Sequence, residues 1–189
     1  MNQLTNLYLE SNPNPNSLKF VANYLLVPEG ESYDFPDQES AKNAPLAGEL
    51  FGYDFVKRVF YMNNFVTVTK SPDIPWEEIT GKLKDHIQKY LESGKSVLSE
   101  NGSDQGTPDA AQTEIDMKII AILEEYIKPA VEMDGGAIQY QSFKDGIVKV
   151  YLQGSCNGCP SSMLTLKAGI ENLLKMMVPE VKSVEAVGI

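Results

Sequence analysis

The chain has 189 residues, of which 42% are hydrophobic, enough for one large folded domain or two small ones. Its formal net charge is −10, and Arg58 is its single arginine. Because binding to phosphate backbones needs clustered lysine and arginine, we expect no nucleic acid partner. No apolar run approaches the roughly 20 residues that a membrane-spanning helix needs, so we expect no membrane partner.

The N-terminal residues 1–6 carry neither a basic segment nor an arginine-rich amphipathic pattern, the usual marks of targeting peptides. We therefore expect a cytoplasmic protein, unless a presequence has been removed. The chain contains two cysteines, which are too few for a framework of disulfides. In a reducing compartment, two closely spaced cysteines more often indicate metal or redox chemistry.

Residues 1–92 predict a small α+β domain. In chain order the patterns indicate strands within 5–35, short helical stretches near 37–43 and 45–52, strands over 56–60 and 65–69, and a helix opening at Pro75. Asn63-Asn64 between the last two strands is typical of a hairpin turn. Residues 12–16 read Asn-Pro-Asn-Pro-Asn, and their two prolines exclude a regular ladder or helix.

Residues 93–112 are mostly small, polar and turn-forming. Such a stretch cannot bury enough apolar area to offset the entropy lost on ordering. We interpret it as a flexible linker that separates two domains.

Residues 113–189 predict a second domain, which begins at a capping box formed by Thr113 and Asp116. We expect Pro129 to kink or end the first helix, and Gly135-Gly136 to stop it. A hairpin over 137–143 and 147–153, a helix after the cysteines and a last strand over 181–187 complete the order α-β-β-α-β. This order predicts a mixed sheet covered by two helices.

The two cysteines, Cys156 and Cys159, form a Cys-x-x-Cys motif that Pro160 follows directly. Proline is favoured at the first helical position, so Cys159 is expected at the helix N-cap and Cys156 in the preceding loop. The positive end of the helix dipole would then lower the pKa of both thiols and favour the thiolate. We expect both sulfurs to lie outside the apolar core, so that serine substitutions leave the fold intact.

Four interpretations of the motif are open: ordinary loop thiols, a thiol–disulfide oxidoreductase with Cys156 as nucleophile, zinc, and an iron–sulfur cluster. A thioredoxin motif places its proline between the cysteines, whereas Pro160 follows the second one. Structural zinc takes four ligands, and the lone His86 lies in the other domain, so zinc would require two chains. A cluster takes four thiolates, which two chains supply around a two-fold axis. Such a half-shell in each chain suits a carrier, because a receiving protein can replace one pair of ligands at a time.

The second domain closely resembles the C-terminal domain of NifU-like (Nfu) proteins over roughly residues 114–187. The stretches that carry this resemblance are Met133–Gly136, Leu152–Ser162, Thr165–Glu171 and Pro179–Val187. The first domain resembles the Nfu N-terminal domain, which implies a two-layer α/β fold. Its matching stretches are Asn12–Phe20, Asp34–Pro36, Ser40–Ala41, Pro45–Ala47 and Phe65–Lys70. The residues between the cysteines, Asn157-Gly158, depart from the Gly-Ser that family members often have.

The resemblance implies an iron–sulfur cluster carrier or scaffold with no catalytic turnover. It implies a 4Fe–4S cluster held between two subunits, with Cys156 and Cys159 of each chain as its ligands, in a cluster-dependent homodimer. The implied partners are apo iron–sulfur client proteins and upstream cluster-assembly proteins. The first domain has no cysteine, so we hypothesise that it docks these partners. Its 12–16 stretch is either a recognition loop or a rigid connector between strands.

Overall fold

The computed structural model describes residues 5–99, 113–156 and 160–188. The chain divides into two compact units, residues 1–104 and 105–189, and each unit combines helices with a sheet of its own. The predicted two-domain α+β class is confirmed, whereas the domain limits at 92 and 113 stay predictions. Within the described ranges, no helix is both long enough and apolar enough to cross a bilayer.

The first unit is a five-stranded antiparallel sheet in the order β1-β2-β5-β4-β3. Its elements are β1 (Leu7–Ser11), β2 (Ser17–Ala22), β3 (Ser32–Phe35), a 3₁₀ turn (Ser40–Asn43), α1 (Pro45–Leu50), β4 (Val56–Met62), β5 (Phe65–Lys70) and α2 (Trp76–Glu92). Phe20, Val66 and Tyr61 form one row across the three central strands and share a core with Leu46 and Leu83 of the helices. The helices therefore cover one face of the sheet, as a two-layer domain requires.

The Asn-Pro-Asn-Pro-Asn stretch connects β1 to β2 and is held by its own side chains. Asn12 Oδ1 accepts the N–H of Asn14 at 3.1 Å, and Asn14 Oδ1 accepts the N–H of Asn16 at 2.9 Å. Trp76 Nε1 donates to the carbonyl oxygen of Pro15 at 2.9 Å. These bonds favour the rigid connector over the recognition loop, because they fix the stretch against the start of α2.

The segment predicted as the linker falls mostly outside the described residues. Its described part, residues 93–99, follows α2 and packs on the first unit through Val97, which is buried. The hydroxyl of Tyr90 donates to the carbonyl oxygen of Ser96 at 2.9 Å, and the N–H of Ser99 donates to the carbonyl oxygen of Asn43 at 2.8 Å. Small and polar residues therefore continue the first unit for some distance beyond its last helix.

The second unit has the predicted order and a mixed three-stranded sheet, β6-β7-β8, antiparallel between β6 and β7 and parallel between β7 and β8. Its elements are α3 (Glu114–Ile122), a π-helical segment (Leu123–Ile127), α4 (Lys128–Met133), β6 (Gly136–Lys144), β7 (Ile147–Gly154), α5 (Pro160–Met177) and β8 (Ser183–Gly188). Ile119 of α3 and Ile170 of α5 share one core with Val150 of β7. Helices α3 and α5 thus cover the same face of the sheet.

Pro129 does not end the helical run, which continues to Met133. The π-helical segment Leu123–Ile127 ends two residues before Pro129, and this wider turn accommodates a residue that has no N–H and whose ring crowds the preceding turn. The helix stops instead at Asp134, one residue before Gly135, as expected from the paired glycines.

The capping box at the start of α3 is confirmed, and it should contribute measurably to the second unit. The N–H of Asp116 donates to Thr113 Oγ1 at 3.2 Å, and Asp116 Oδ2 accepts the N–H of Thr113 at 2.7 Å. We expect Thr113→Ala to lower the free energy of unfolding of this unit by about 1 kcal/mol, because the N–H of Asp116 loses its side-chain acceptor. Thr113→Ser keeps the hydroxyl and should lose less than half as much.

Urea unfolding measures this effect with an internal control. Trp76 is the chain's single tryptophan and lies in the first unit, so its fluorescence follows that unit alone, while far-UV circular dichroism follows both. Thr113→Ala should lower the urea midpoint only of the circular dichroism transition that has no matching change in tryptophan fluorescence. Equal destabilisation by the alanine and serine variants would contradict a capping role for the hydroxyl.

Candidate metal centre

Cys156 lies in the turn between the end of β7 and the start of α5, the junction that the sequence predicts. Strand β7 ends at Gly154, Ser155 and Cys156 form the cysteine turn, and α5 begins at Pro160. Gly154 adopts a φ of 65°, a left-handed conformation that favours glycine, and so turns the chain out of the strand. Cys159 lies outside the described residues, so its pairing with Cys156 stays a prediction.

The backbone of β6 passes directly against the Cys156 sulfur. Gly136 is the register partner of Gly154, and a Cβ atom at Gly136 would lie 2.8 Å from Cys156 Sγ and 2.6 Å from the carbonyl oxygen of Gln153. Real Cβ atoms do not approach other atoms so closely, so this position requires glycine. The backbone of Gly136, at the start of β6, therefore lies in direct contact with the sulfur, and we call this contact the glycine floor.

Two hydrogen bonds tie the cysteine turn to the 134–136 segment that joins α4 to β6. The hydroxyl of Ser155 donates to the carbonyl oxygen of Asp134. The N–H of Ser155 donates to the carbonyl oxygen of Gly135 at 3.3 Å. Ser155 is buried, with 2% of its surface exposed. The position of the turn is thus fixed by the packing of Cys156 on Gly136 and by the two hydrogen bonds of Ser155.

The Cys156 side chain is part of the hydrophobic core rather than of an exposed loop. It is 7% exposed and clusters with buried residues that include Leu152 and Ile170. Burial raises the pKa of the Cys156 thiol to about 11; a hydrogen bond from Ser155 lowers it and the negative charge of Asp134 raises it further. Two expectations for Cys156 are therefore wrong: the pKa is raised rather than lowered, and the sulfur lies in the core. Loss of hydration outweighs any field from the helix end.

Sequence reasoning identified Cys156 but missed the residues that hold it. Gly135-Gly136 was interpreted only as a helix stop, although Met133–Gly136 belongs to the family resemblance. A signal was available, because a paired glycine opens the strand that pairs with the strand leading into the cysteines. Ser155 carries no such signal, since a serine beside a cysteine fits any turn.

His86 has partners within the first unit. Its Nδ1 lies 2.9 Å from the hydroxyl of Tyr53, and its Nε2 lies 2.9 Å from a carboxylate oxygen of Glu49. The ring therefore links α2 to α1 and to the residues after it. Across residues 5–99, 113–156 and 160–188, no three or more histidine, cysteine, aspartate or glutamate side chains lie together as a metal site would need.

Two family models match the chain in order. The model described as the scaffold protein Nfu/NifU N terminal matches residues 7–94, and that of the NifU-like domain matches residues 119–185. The second match contains Cys156, the floor at Gly136 and Ser155, so the site described above lies inside a recognised domain.

Relatives named as NifU-like or NFU1 proteins are similar over most of the chain. The mitochondrial NifU-like protein 4 of Arabidopsis thaliana is 41% identical over 93% of this chain and 64% of its own length. The human protein named NFU1 iron-sulfur cluster scaffold homolog, mitochondrial, is 40% identical over 94% of this chain and 70% of its own length. The solution structure of a NifU-like protein from Saccharomyces cerevisiae matches with a TM-score of 0.47 and 24% identity, over 52% of this chain and 87% of that one.

The names of the plant and human relatives place those proteins in mitochondria, so the expectation of a cytoplasmic protein is wrong. That expectation rested on residues 1–6, and a compartment is set by addresses that receptors read rather than by folded domains. The chain spans just under two thirds of the plant relative and 70% of the human one. Its two matched domains and its 40% identity to the human protein show that it belongs to the Nfu/NifU family of scaffold proteins.

Proposed function

We propose that the chain holds an iron–sulfur cluster of the 4Fe–4S type between two subunits and delivers it to apo iron–sulfur proteins. The observation that carries this proposal is the turn at the β7–α5 junction, which sets Cys156 on a glycine floor. A Cβ atom there would push the sulfur aside, so the backbone is shaped to this one ligand. The names of the relatives, as iron–sulfur cluster scaffolds, support the same class of cargo.

The stoichiometry of thiolates supports a cluster shared by two chains. A cluster of this type takes four cysteine thiolates, and each chain contains two cysteines. Cys156 and Cys159 of two chains complete the set around a two-fold axis. Cluster loading should then drive dimerisation by mass action, since only the dimer offers the full set of ligands.

The cluster is cargo in this proposal and not a resident cofactor. Each chain contributes half of the ligands, so a client's cysteines can replace those of one chain while the other chain still holds the cluster. Loading must remove the proton of the buried Cys156 thiol, so uptake releases protons and depends on pH. No group on the chain need turn over a substrate, which agrees with a scaffold rather than an enzyme.

The raised pKa of the Cys156 thiol opposes the alternative of a thiol–disulfide oxidoreductase. Attack on a disulfide requires a thiolate, and burial keeps this thiol protonated at neutral pH. A zinc-bridged interaction module is a further alternative, because zinc also accepts four thiolates from two chains. Elemental analysis of anaerobically purified protein distinguishes zinc from iron.

We assign the first unit to docking of client proteins and upstream assembly proteins. It contains no cysteine, and its only histidine is engaged by Tyr53 and Glu49. It is therefore unsuited to hold a cluster but offers a rigid two-layer surface.

Cys156→Ser and Cys159→Ser should each abolish stable cluster binding, since a dimer of either variant offers half of the thiolates. After anaerobic reconstitution with iron and sulfide, we expect about four irons per two wild-type chains and close to none for either variant. Iron and acid-labile sulfide analysis with native mass spectrometry measures this. His86→Asn is the matched control and should load as the wild type does. A full cluster in either cysteine variant, or on a single wild-type chain, would refute the assignment.

Gly136→Ala should reduce cluster loading although no ligand is changed. The new methyl group overlaps the Cys156 sulfur and the carbonyl of Gln153, so the turn must shift, at a cost of about 1–3 kcal/mol. Gly169→Ala on α5 is the control, because a Cβ there meets nothing within 4 Å and helical glycine is unfavourable. We expect the control to load fully and to unfold at or above the wild-type temperature. Wild-type loading of Gly136→Ala would show that the floor does not position the sulfur.

A further inference from the structure

We propose that Ser155 is a positioning residue that clamps the cysteine turn and thereby sets how firmly the chain retains its cluster. This inference rests on the proposed function for its consequence, but its geometric content concerns the chain alone. Ser155 is no ligand and touches no cargo in this proposal. It acts through Cys156, its neighbour in the chain.

The clamp consists of two bonds to successive carbonyl groups. The Ser155 hydroxyl donates to Asp134 and its N–H donates to Gly135, two residues that lie 20 to 21 positions earlier in the sequence. Both acceptors follow the last turn of α4, where carbonyl groups lack helical partners. One serine therefore joins the end of a helix to the turn before the next helix.

The buried position of Ser155 makes these bonds consequential. With 2% of the residue exposed, water cannot readily replace the hydroxyl as donor to Asp134. A variant without the hydroxyl leaves the carbonyl of the half-buried Asp134 with one donor fewer, which favours a turn that opens toward solvent. Opening of the turn must move Cys156, because it follows Ser155 directly and rests against Gly136.

The clamp has a consequence for retention of the cluster. A ligand already held in place loses less freedom when it binds, and it returns to the metal faster after a bond breaks. Weakening the clamp should therefore shorten the lifetime of the cluster on the chain without changing the number of thiolates. In this proposal Ser155 sets how long the cluster stays on the chain, whereas the cysteines are required for the cluster to bind.

The first test uses no cluster and measures exposure of the sulfur. In the full chain carrying Cys159→Ser, the rate of iodoacetamide alkylation reports Cys156 alone. We expect Ser155→Ala to raise this rate about five- to tenfold, as loss of one buried hydrogen bond does to an opening equilibrium. Ser155→Thr keeps the hydroxyl and should stay near the parent rate. Ser142→Ala, on β6 and paired with Lys149, is the matched serine control and should leave the rate unchanged.

The second test measures loss of the cluster from the reconstituted full-length dimer to an iron chelator. We expect Ser155→Ala to load and then lose iron several-fold faster than the wild type, and Ser155→Thr to restore retention. If the wild type loads no cluster, the proposed function fails, while the alkylation result still decides whether the clamp exists. If the wild type loads and Ser155→Ala matches it in both alkylation and iron loss, the inference is overturned.

Hydrogen exchange on the wild-type apo chain keeps the proposal testable should Ser155→Ala not fold. The Ser155 amide, which donates to Gly135, should exchange as slowly as the paired amides of β7. Exchange at the rate of an open loop would overturn the clamp.

Discussion

The second unit depends on one close approach, that of the β6 backbone to the sulfur of Cys156. This contact is possible only because Gly136 has no side chain, and it occurs where Gly136 and Gly154 are register partners. The hairpin register therefore determines the height of the sulfur above the sheet. A slip by one residue that brought Ala137 to the position of Gly136 would place a side chain there and turn the core residues of β6 outward. The position of the cysteine turn is thus determined by the pairing within the sheet.

Under the proposed function, the burial of Cys156 accounts for a chain that is stable both empty and loaded. An isolated thiolate in the core would be costly, and the raised pKa of the thiol shows that the neutral form is favoured there. In that proposal iron supplies the positive charge that makes the thiolate acceptable in the same place, so loss of the proton and gain of the metal are linked. Without metal, the sulfur instead packs as a small apolar group beside Leu152 and Ile170. The core thus tolerates departure of the cargo.

Local chemistry in the sequence predicted most of the fold. The capping box at Thr113, the hairpin turn at Asn63 and the order α-β-β-α-β follow from side-chain chemistry or from periodicity, which act over a few residues. The errors arose where distant residues decide. Burial of Cys156 depends on strands and helices that a loop motif does not contain. Of the two expectations for Pro129, a kink or an end, the sequence could not decide, because the choice depends on a π-helical segment that no local pattern indicates. The compartment had no physical basis in the folded domains at all.

The two units differ in the groups that contact their reactive side chains. In the first unit His86 is held by Tyr53 and Glu49, and the chain's single arginine, Arg58, pairs with Asp34 at 2.5 Å. Groups already engaged in this way contribute rigidity and surface shape, and coordination of a metal would first have to break their bonds. In the second unit the thiol of Cys156 packs against the backbone of Gly136 and is hydrogen-bonded by the neighbouring Ser155. Under the proposed function, recognition and coordination can therefore vary independently, because the contact between Gly136 and Cys156 lies entirely within the second unit.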